Sequence, residues 1–177
     1  RLTDAALGGW QLSANVSALS GFPLIIRANG NDNLNSATTN SNYNFSQRAN
    51  HYRPMKIVHR TLTNWFGTDP SAVACSTPGV DNGVCAYGRP AFDQFGTSQN
   101  GTERGPGQKN VDLSVFKGFR TVGNQTFKLR LDAYNAFNLP SYAQPQNRAG
   151  QSAGTYGSIR STTSAPRQVQ ISGVYTF

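Results

Sequence analysis

The groups in this chain that could do chemistry are few: two cysteines, two histidines and eight acidic residues. Cys75 and Cys85 stand at either end of "CSTPGVDNGVC". Thiols at that spacing either close a ring or help to hold a metal ion. A zinc site takes about four ligands, and His51 and His59 lie outside the ring without matching spacing. The disulfide is therefore the favoured reading, with Pro78, Gly79 and Gly83 bending the chain between the sulfurs. A disulfide places this segment outside the cytoplasm, where no reductant reaches it.

The acidic residues make no recognisable catalytic pattern. "NGNDN" and "GVDNG" hint at calcium, but both lack the EF-hand ladder and its closing Glu, so they are read as turns. Neither histidine has a carboxylate in a known motif, no nucleophile is paired with a base, and the Gly-rich pieces match no phosphate loop. The triplets starting at Asn15, Asn44, Asn100 and Asn124 fit a glycosylation acceptor, a pattern common by chance in Asn/Ser-rich chains. The expectation is a non-enzyme with no cofactor and no metal. One binding chemistry stays open: the aromatics of residues 29–106 ("NYNF", "NWF", "AYGRPAFDQF"), with Trp65 and Tyr87 as candidate contacts, could stack on a sugar or peptide. The alternative, which we favour, is that they pack together as a small core within a loop.

These residues must be held by something, and composition restricts what. Only 37% of residues are hydrophobic and 14% charged, with Gly, Ser, Thr, Asn and Gln filling the difference, which suits turns, polar strands and loops more than helices. The net charge of +8 is scattered, with no basic run of the kind that marks a nucleic-acid arm, so no nucleic-acid partner is expected. A spread basic charge still favours phosphate or an anionic membrane surface, although a solvated basic surface is the plainer reading. No stretch of about 18 apolar residues suggests a membrane-spanning helix. With neither an initiator Met nor a signal peptide, Arg1 is expected to begin a processed product or a fragment.

Four stretches alternate apolar and polar residues with period two, as strands with differently solvated faces do. In "GGWQLSANVSA", Trp10, Leu12, Ala14, Val16 and Ala18 share a face, and the strand is expected to run on through "GFPLIIRA" with a kink at Pro23. "NVDLSVFKGFR" puts Val111, Leu113, Val115 and Phe119 together. Phe116 and Lys117 break its pattern, which a bulge or a snorkelling lysine would accommodate. "QTFKLRLDAYNAF" sets Phe127, Leu129, Leu131 and Ala133 against Lys128, Arg130, Asp132 and Tyr134. "RQVQISGVYTF" sets Val169, Ile171, Gly173, Tyr175 and Phe177 against a mostly polar row.

A soluble sandwich built from these strands would need a second sheet that the chain barely has. In an outer-membrane barrel the apolar row meets lipid and the polar row, here Lys128, Arg130, Asp132 and Tyr134, lines the lumen. The connections agree with the barrel. "TVGNQ", with Gly123 and Asn124 suited to a tight hairpin, is short, and the two other links are long, matching the alternation of periplasmic turns and extracellular loops. Counted back from a periplasmic C-terminus, both long loops are outside. Trp10, Phe119, Phe127, Tyr175 and Phe177 then fall at the periplasmic ends of their strands, with Phe22, Phe137 and Tyr142 near the outer ends, as two interfacial girdles would. The expected fold is all-β: about four antiparallel amphipathic strands of an incomplete transmembrane barrel. The expected divisions are 1–28 for the first strand and its lead-in, 29–106 for the long loop with Cys75–Cys85, and 107–177 for three further strands.

"ERGPGQKNVDLSVFKGFR", "FKLRLDAYNAFNLPSY" and "YGSIRSTTSAPRQVQISGVYTF" closely resemble the C-terminal end of TonB-dependent outer-membrane receptors, particularly the Oar-like group with a carboxypeptidase-regulatory-like domain. "GGWQLSANVSALSGFPL" is similar to the strand before their last large loop. The resemblance covers residues 103–177 and 7–27, and not most of the loop between. It implies that the terminal strand is a signal read by the barrel-assembly machinery, carried by Tyr175 and Phe177. The small residue stands at Gly173, one place after Ser172, where the family usually has it. The implied partners are that machinery, membrane lipid and the rest of the receptor. About 22 strands close such a transporter, so four are a portion of one.

Three functions follow as expectations. The first is a barrel segment of a receptor that imports a large substrate, located in the outer membrane. The second is a processed fragment that assembles with copies of itself through exposed sheet edges, giving an extracellular filament or oligomer. The third is a loop-based ligand-binding or adhesive module centred on Trp65 and Tyr87.

Overall fold

The computed structural model describes residues 7–28, 47–91, 94–121, 123, 125–150 and 154–177. In chain order its strands are β1 (Trp10–Leu19), β2 (Pro23–Leu24), β3 (Arg27–Ala28), β4 (Asn50–His51), β5 (Tyr87–Gly88), β6 (Glu103–Arg104), β7 (Gln108–Arg120), β8 (Thr126–Tyr134), β9 (Arg148–Ala149) and β10 (Gln168–Thr176). The chain is all-β, and among the described residues no helix is long and apolar enough to cross a membrane. It divides into two units: Arg1–Ser20 with Gly107–Tyr142 and Thr162–Phe177, and Gly21–Pro106 with Ala143–Ser161.

The first unit is one antiparallel sheet in the order β1-β7-β8-β10, so that strands near in sequence are near in space. Its register lines up the alternating residues into rows. Leu12, Val115, Leu131 and Ile171 form one row, and Ala14, Leu113, Ala133 and Val169 the next. On the opposite face Ser13, Ser114, Asp132 and Gln170 run parallel to them. Side chains repeat every two residues, so a one-residue slip would mix the two sets and is strongly disfavoured wherever the faces meet different surroundings. The β7–β8 connection occupies residues 121–125. Gly123 takes φ +70°, the left-handed conformation a tight turn asks of glycine. Asn124, the other half of the expected turn pair, lies outside the described residues.

Several expectations change here. β1 stops at Leu19, and "GFPLIIRA" does not extend it. Pro23–Leu24 pairs instead with Glu103–Arg104, and Arg27–Ala28 with Arg148–Ala149, so residues 21–28 belong to the second unit. The physical reason is visible in the burial. Leu24, Ile26 and Ala28 are all buried, an apolar run with a core of its own to join. The β7 ladder is continuous through Phe116 and Lys117 against both neighbours, so there is no bulge at that point. β8 ends at Tyr134 because Asn135 and Asn138 take φ of 49° and 52°, and the Asn135 side chain bonds Leu139 and Ala165 instead of continuing the ladder.

The second unit is held by short pairings and a core. Leu24, Ile26, Ala49, Phe66, Ala72, Ala86, Tyr87 and Ala149 are buried together, with Met55, Trp65, Ala74 and Tyr156 packed against them. A 3-10 turn at Pro70–Ala72 is capped by Asp69, whose side chain accepts from the Ser71 backbone N–H. Both long connections of the sheet contribute to this one unit.

Candidate functional site: a two-faced wall and its loop unit

The apolar face of the sheet is open. Leu12, Val16, Val169 and Ile171 are more than half exposed, Ile171 at 70%. In water such a face would be a severe cost of about 25 cal/mol for every Å² left uncovered, and a lipid hydrocarbon removes that cost. At the end of the sheet that carries the short turn, Phe119, Phe127 and Tyr175 stand opposite one another, with Trp10 one row further in. Phe119 and Phe127 have ring centroids 6.1 Å apart. Phe177, past the end of β10, is 97% exposed.

Lys117 sits on this apolar face, in the row with Trp10, Leu129 and Gly173. Its ammonium lies 4.5 Å from the Trp10 ring centroid and 5.4 Å from that of Phe119, and it donates to the Gly8 carbonyl at 3.1 Å. At 5% exposure it does not snorkel to water: the aromatic rings and a carbonyl satisfy it in place. Gly173 leaves room for its neighbour. A Cβ there would stand 3.3 Å from Cε2 and Cζ of Phe127, so the glycine lets that ring lie across the strand. Of the three residues that the resemblance implies as an assembly signal, Gly173 and Tyr175 lie within β10 and Phe177 just beyond it.

The polar face carries a bonded network. Asp132 is 5% exposed and accepts from the Ser114 hydroxyl across the β7–β8 pair and from Arg130 Nε at 2.7 Å. The Arg130 guanidinium lies 4.8 Å from the Phe116 ring centroid, so the aromatic residue that breaks the alternation is covered by a cation. Asp112 accepts from Asn110 Nδ2 and from the Asn135 backbone N–H, both at 2.9 Å. Of the predicted polar row, Arg130 and Asp132 are joined directly, while Lys128 and Tyr134 are exposed on either side of them.

In the second unit Cys75 and Cys85 are disulfide-bonded, with Cα atoms 5.4 Å apart. Asp81 lies close to both sulfurs. With the thiols consumed by their own bond, one carboxylate remains, too few ligands for a metal. Asp81 is engaged otherwise: it receives both oxygens' worth of hydrogen bonds from Arg53, at 2.7 and 2.6 Å, and one from the Gly83 N–H. These bonds hold its carboxyl below the usual range. Asn82 caps the end of the ring by accepting from the Val84 and Cys85 N–H groups.

The two aromatic candidates part company. Tyr87 is 1% exposed, stacked on His51 at 4.7 Å, with its hydroxyl within hydrogen-bond distance of Thr102 Oγ1 and Glu103 Oε1. It is a core residue and offers no face to a ligand, which corrects its reading as a contact. Burial pushes its phenol up to about 12 and raises the Glu103 carboxyl as well. Trp65 is half-buried; its Nε1 donates to the Arg104 carbonyl and Arg60 lies 4.2 Å over its ring. "NYNF" and "NGNDN" lie outside the described residues. A cavity of about 570 Å³ beside the disulfide is lined by Asn64, Thr68, Cys75, Ser76, Arg89 and Tyr156, among others. Sequence reasoning missed it, because its walls come from segments far apart in the chain.

A sheet apolar on one face and polar on the other, with aromatics aligned at one end and, among the described residues, no strand paired beyond β1 or β10, is a stretch of membrane-barrel wall. No curated protein and no solved structure matches the chain. A family model described as outer membrane beta barrel domain matches residues 1–170. The chain therefore belongs to the outer membrane β-barrel domain family, and its place is the outer membrane.

Proposed function

We propose that this chain is the C-terminal wall segment of a TonB-dependent outer-membrane receptor of the Oar-like kind, which imports a large substrate. The observation that carries the reading is the alternation of connections around one continuous sheet. β7 and β8 are joined by residues 121–125 alone, whereas β1 to β7 and β8 to β10 are joined by long excursions that share a folded unit. In a bacterial barrel that alternation puts the short turn in the periplasm and the folded unit outside. The aromatic end row and the terminal Tyr175 and Phe177 support the same orientation. Four strands cannot close a barrel, so the reading requires roughly eighteen more, plus a plug. The coding sequence upstream tests it: a plug domain and that many amphipathic strands are expected, and a short upstream region without a plug contradicts it. The chain itself performs no catalysis in this reading.

A second reading has one specific observation behind it. Among the described residues β1 pairs only with β7, and β10 only with β8, so each outer strand presents an edge with no described partner. Copies of a released segment would join at those edges into an oligomer or filament. Negative-stain microscopy of the purified chain distinguishes the two: filaments favour assembly, and particles that stay monomeric in detergent exclude it.

A further inference from the structure

The disulfide loop of the second unit carries Asn82 followed by Gly83, and its hydrogen bonds grip both halves of that pair. Gly83 N–H donates to Asp81 Oδ1 at 2.9 Å. Asn82 Oδ1 accepts from two backbone donors, the N–H groups of Val84 and Cys85, each at 2.9 Å. The Asp81 carboxylate is itself fixed, because Arg53 Nη2 donates to both of its oxygens while Arg53 Nη1 donates to the Cys85 carbonyl at 2.8 Å. One guanidinium thereby ties the carboxylate to the end of the loop that supplies a donor. Gly83 has φ +80° and open space where a Cβ would stand, so no side chain shields its nitrogen. Asp81, Asn82, Gly83 and Val84 are exposed to water, and the Cys75–Cys85 bond closes the segment.

We propose that Asn82 and Gly83 form a self-modification site, at which the Gly83 nitrogen attacks the Asn82 side-chain amide and deamidates it. The arrangement holds the three parts such a reaction needs. The backbone nitrogen is the nucleophile, and the Asp81 carboxylate stands within hydrogen-bond reach to relay its proton. Two N–H donors on the amide oxygen stabilise the negative charge that develops there as the amide carbon becomes tetrahedral, as an oxyanion hole does. As the bond from Gly83 N to Asn82 Cγ forms, the proton of that nitrogen passes through Asp81 to Nδ2, the Cγ–Nδ2 bond breaks and ammonia leaves. A water molecule then opens the cyclic imide at either carbonyl, giving an aspartyl or an isoaspartyl residue at position 82. The aspartyl product makes the bonds from Val84 and Cys85 charge-assisted, whereas the isoaspartyl product lengthens the backbone inside the disulfide ring. Either removes one unit from the formal net charge of +8. Asn100–Gly101 supplies the comparison. There the Gly101 N–H donates to the Leu24 carbonyl at 3.0 Å, an acceptor that holds the proton without relaying it. The third such pair, Asn29–Gly30, lies outside the described residues. The site lies wholly within the second unit and depends on neither reading of the whole chain.

The full, disulfide-bonded chain in detergent is held at neutral pH and sampled over days. Each Asn–Gly pair is followed by peptide mass spectrometry, with isoaspartyl products detected by an isoaspartyl methyltransferase. Asn82 should convert at least about tenfold faster than Asn100, the order of effect that a positioned proton acceptor and oxyanion donors supply. The same chain reduced and unfolded in urea loses the arrangement, and there the two sites should convert at similar rates, with Asn82 slower than in the folded chain. Asp81→Ala should slow Asn82 towards the rate of Asn100, and Asp81→Glu, which keeps a carboxylate, should retain most of the preference. Equal rates at Asn82 and Asn100 in the folded chain, faster conversion of Asn82 in urea than in the fold, or an Asp81→Ala chain with its disulfide intact that converts Asn82 as fast as the unaltered one, overturns the proposal.

Discussion

Tyr87 shows how much of the second unit rests on single side chains. It is the largest fully buried side chain among the described residues, and Tyr87→Ala should cost about 3 to 5 kcal/mol of that unit's stability, whereas Tyr87→Phe, which loses only the hydroxyl's bonds, should cost about 1 kcal/mol. Urea titrations of the two variants check the ratio. Glu103 adds a pH dependence. Burial raises its carboxyl, so its contribution is fully present below the ordinary carboxylate range and is lost as pH rises through the raised value. Thermal melts should therefore show the unit weakening from mildly acidic to neutral pH, and Glu103→Gln should flatten that slope. The disulfide is a third case: Cys75→Ser should cost about 2 to 3 kcal/mol, and a non-reduced digest of the native chain should yield one peptide containing both cysteines. At this scale the sequence was partly legible. Two cysteines in a loop of bends pointed to their bond. Nothing in the sequence distinguished a buried Tyr87 from a half-buried Trp65, because burial here is decided by strand pairs such as His51 with Tyr87 that join distant segments.

At the scale of the strand, period-two alternation set the faces correctly for β1, β7, β8 and β10, since in a pleated strand the face follows from parity alone. It misjudged the ends and the exceptions. β1 ends before Pro23 because the next apolar run has another core to enter, and Phe116 and Lys117 are tolerated through cation–π contacts that only the pairing of strands creates. Asp132 is the clearest cross-strand tie. Asp132→Ala would leave the Ser114 hydroxyl and Arg130 without their acceptor, and should lower the stability of the sheet by about 1 to 3 kcal/mol. Thermal unfolding in detergent measures this, with Lys128→Ala, an exposed neighbour on the same face, expected to change little.

For the whole molecule the central claim is that the two faces of one sheet meet different media, lipid on one side and water on the other. Arg substituted at Leu131, on the apolar face, should then cost about 2 to 4 kcal/mol in a bilayer if it lies near mid-depth. Gln substituted at Arg130, one residue away on the other face, should leave insertion unchanged. The most direct measurement is a spin-label scan of β8 from Phe127 to Ala133 in lipid vesicles, with accessibility read against oxygen, which partitions into lipid, and against a water-soluble nickel chelate. Labels at Phe127, Leu129, Leu131 and Ala133 should favour oxygen, and those at Lys128, Arg130 and Asp132 the chelate, in strict alternation. Equal access of the chelate to both sets, or an apolar row shielded from oxygen and chelate alike, would contradict the barrel-wall account.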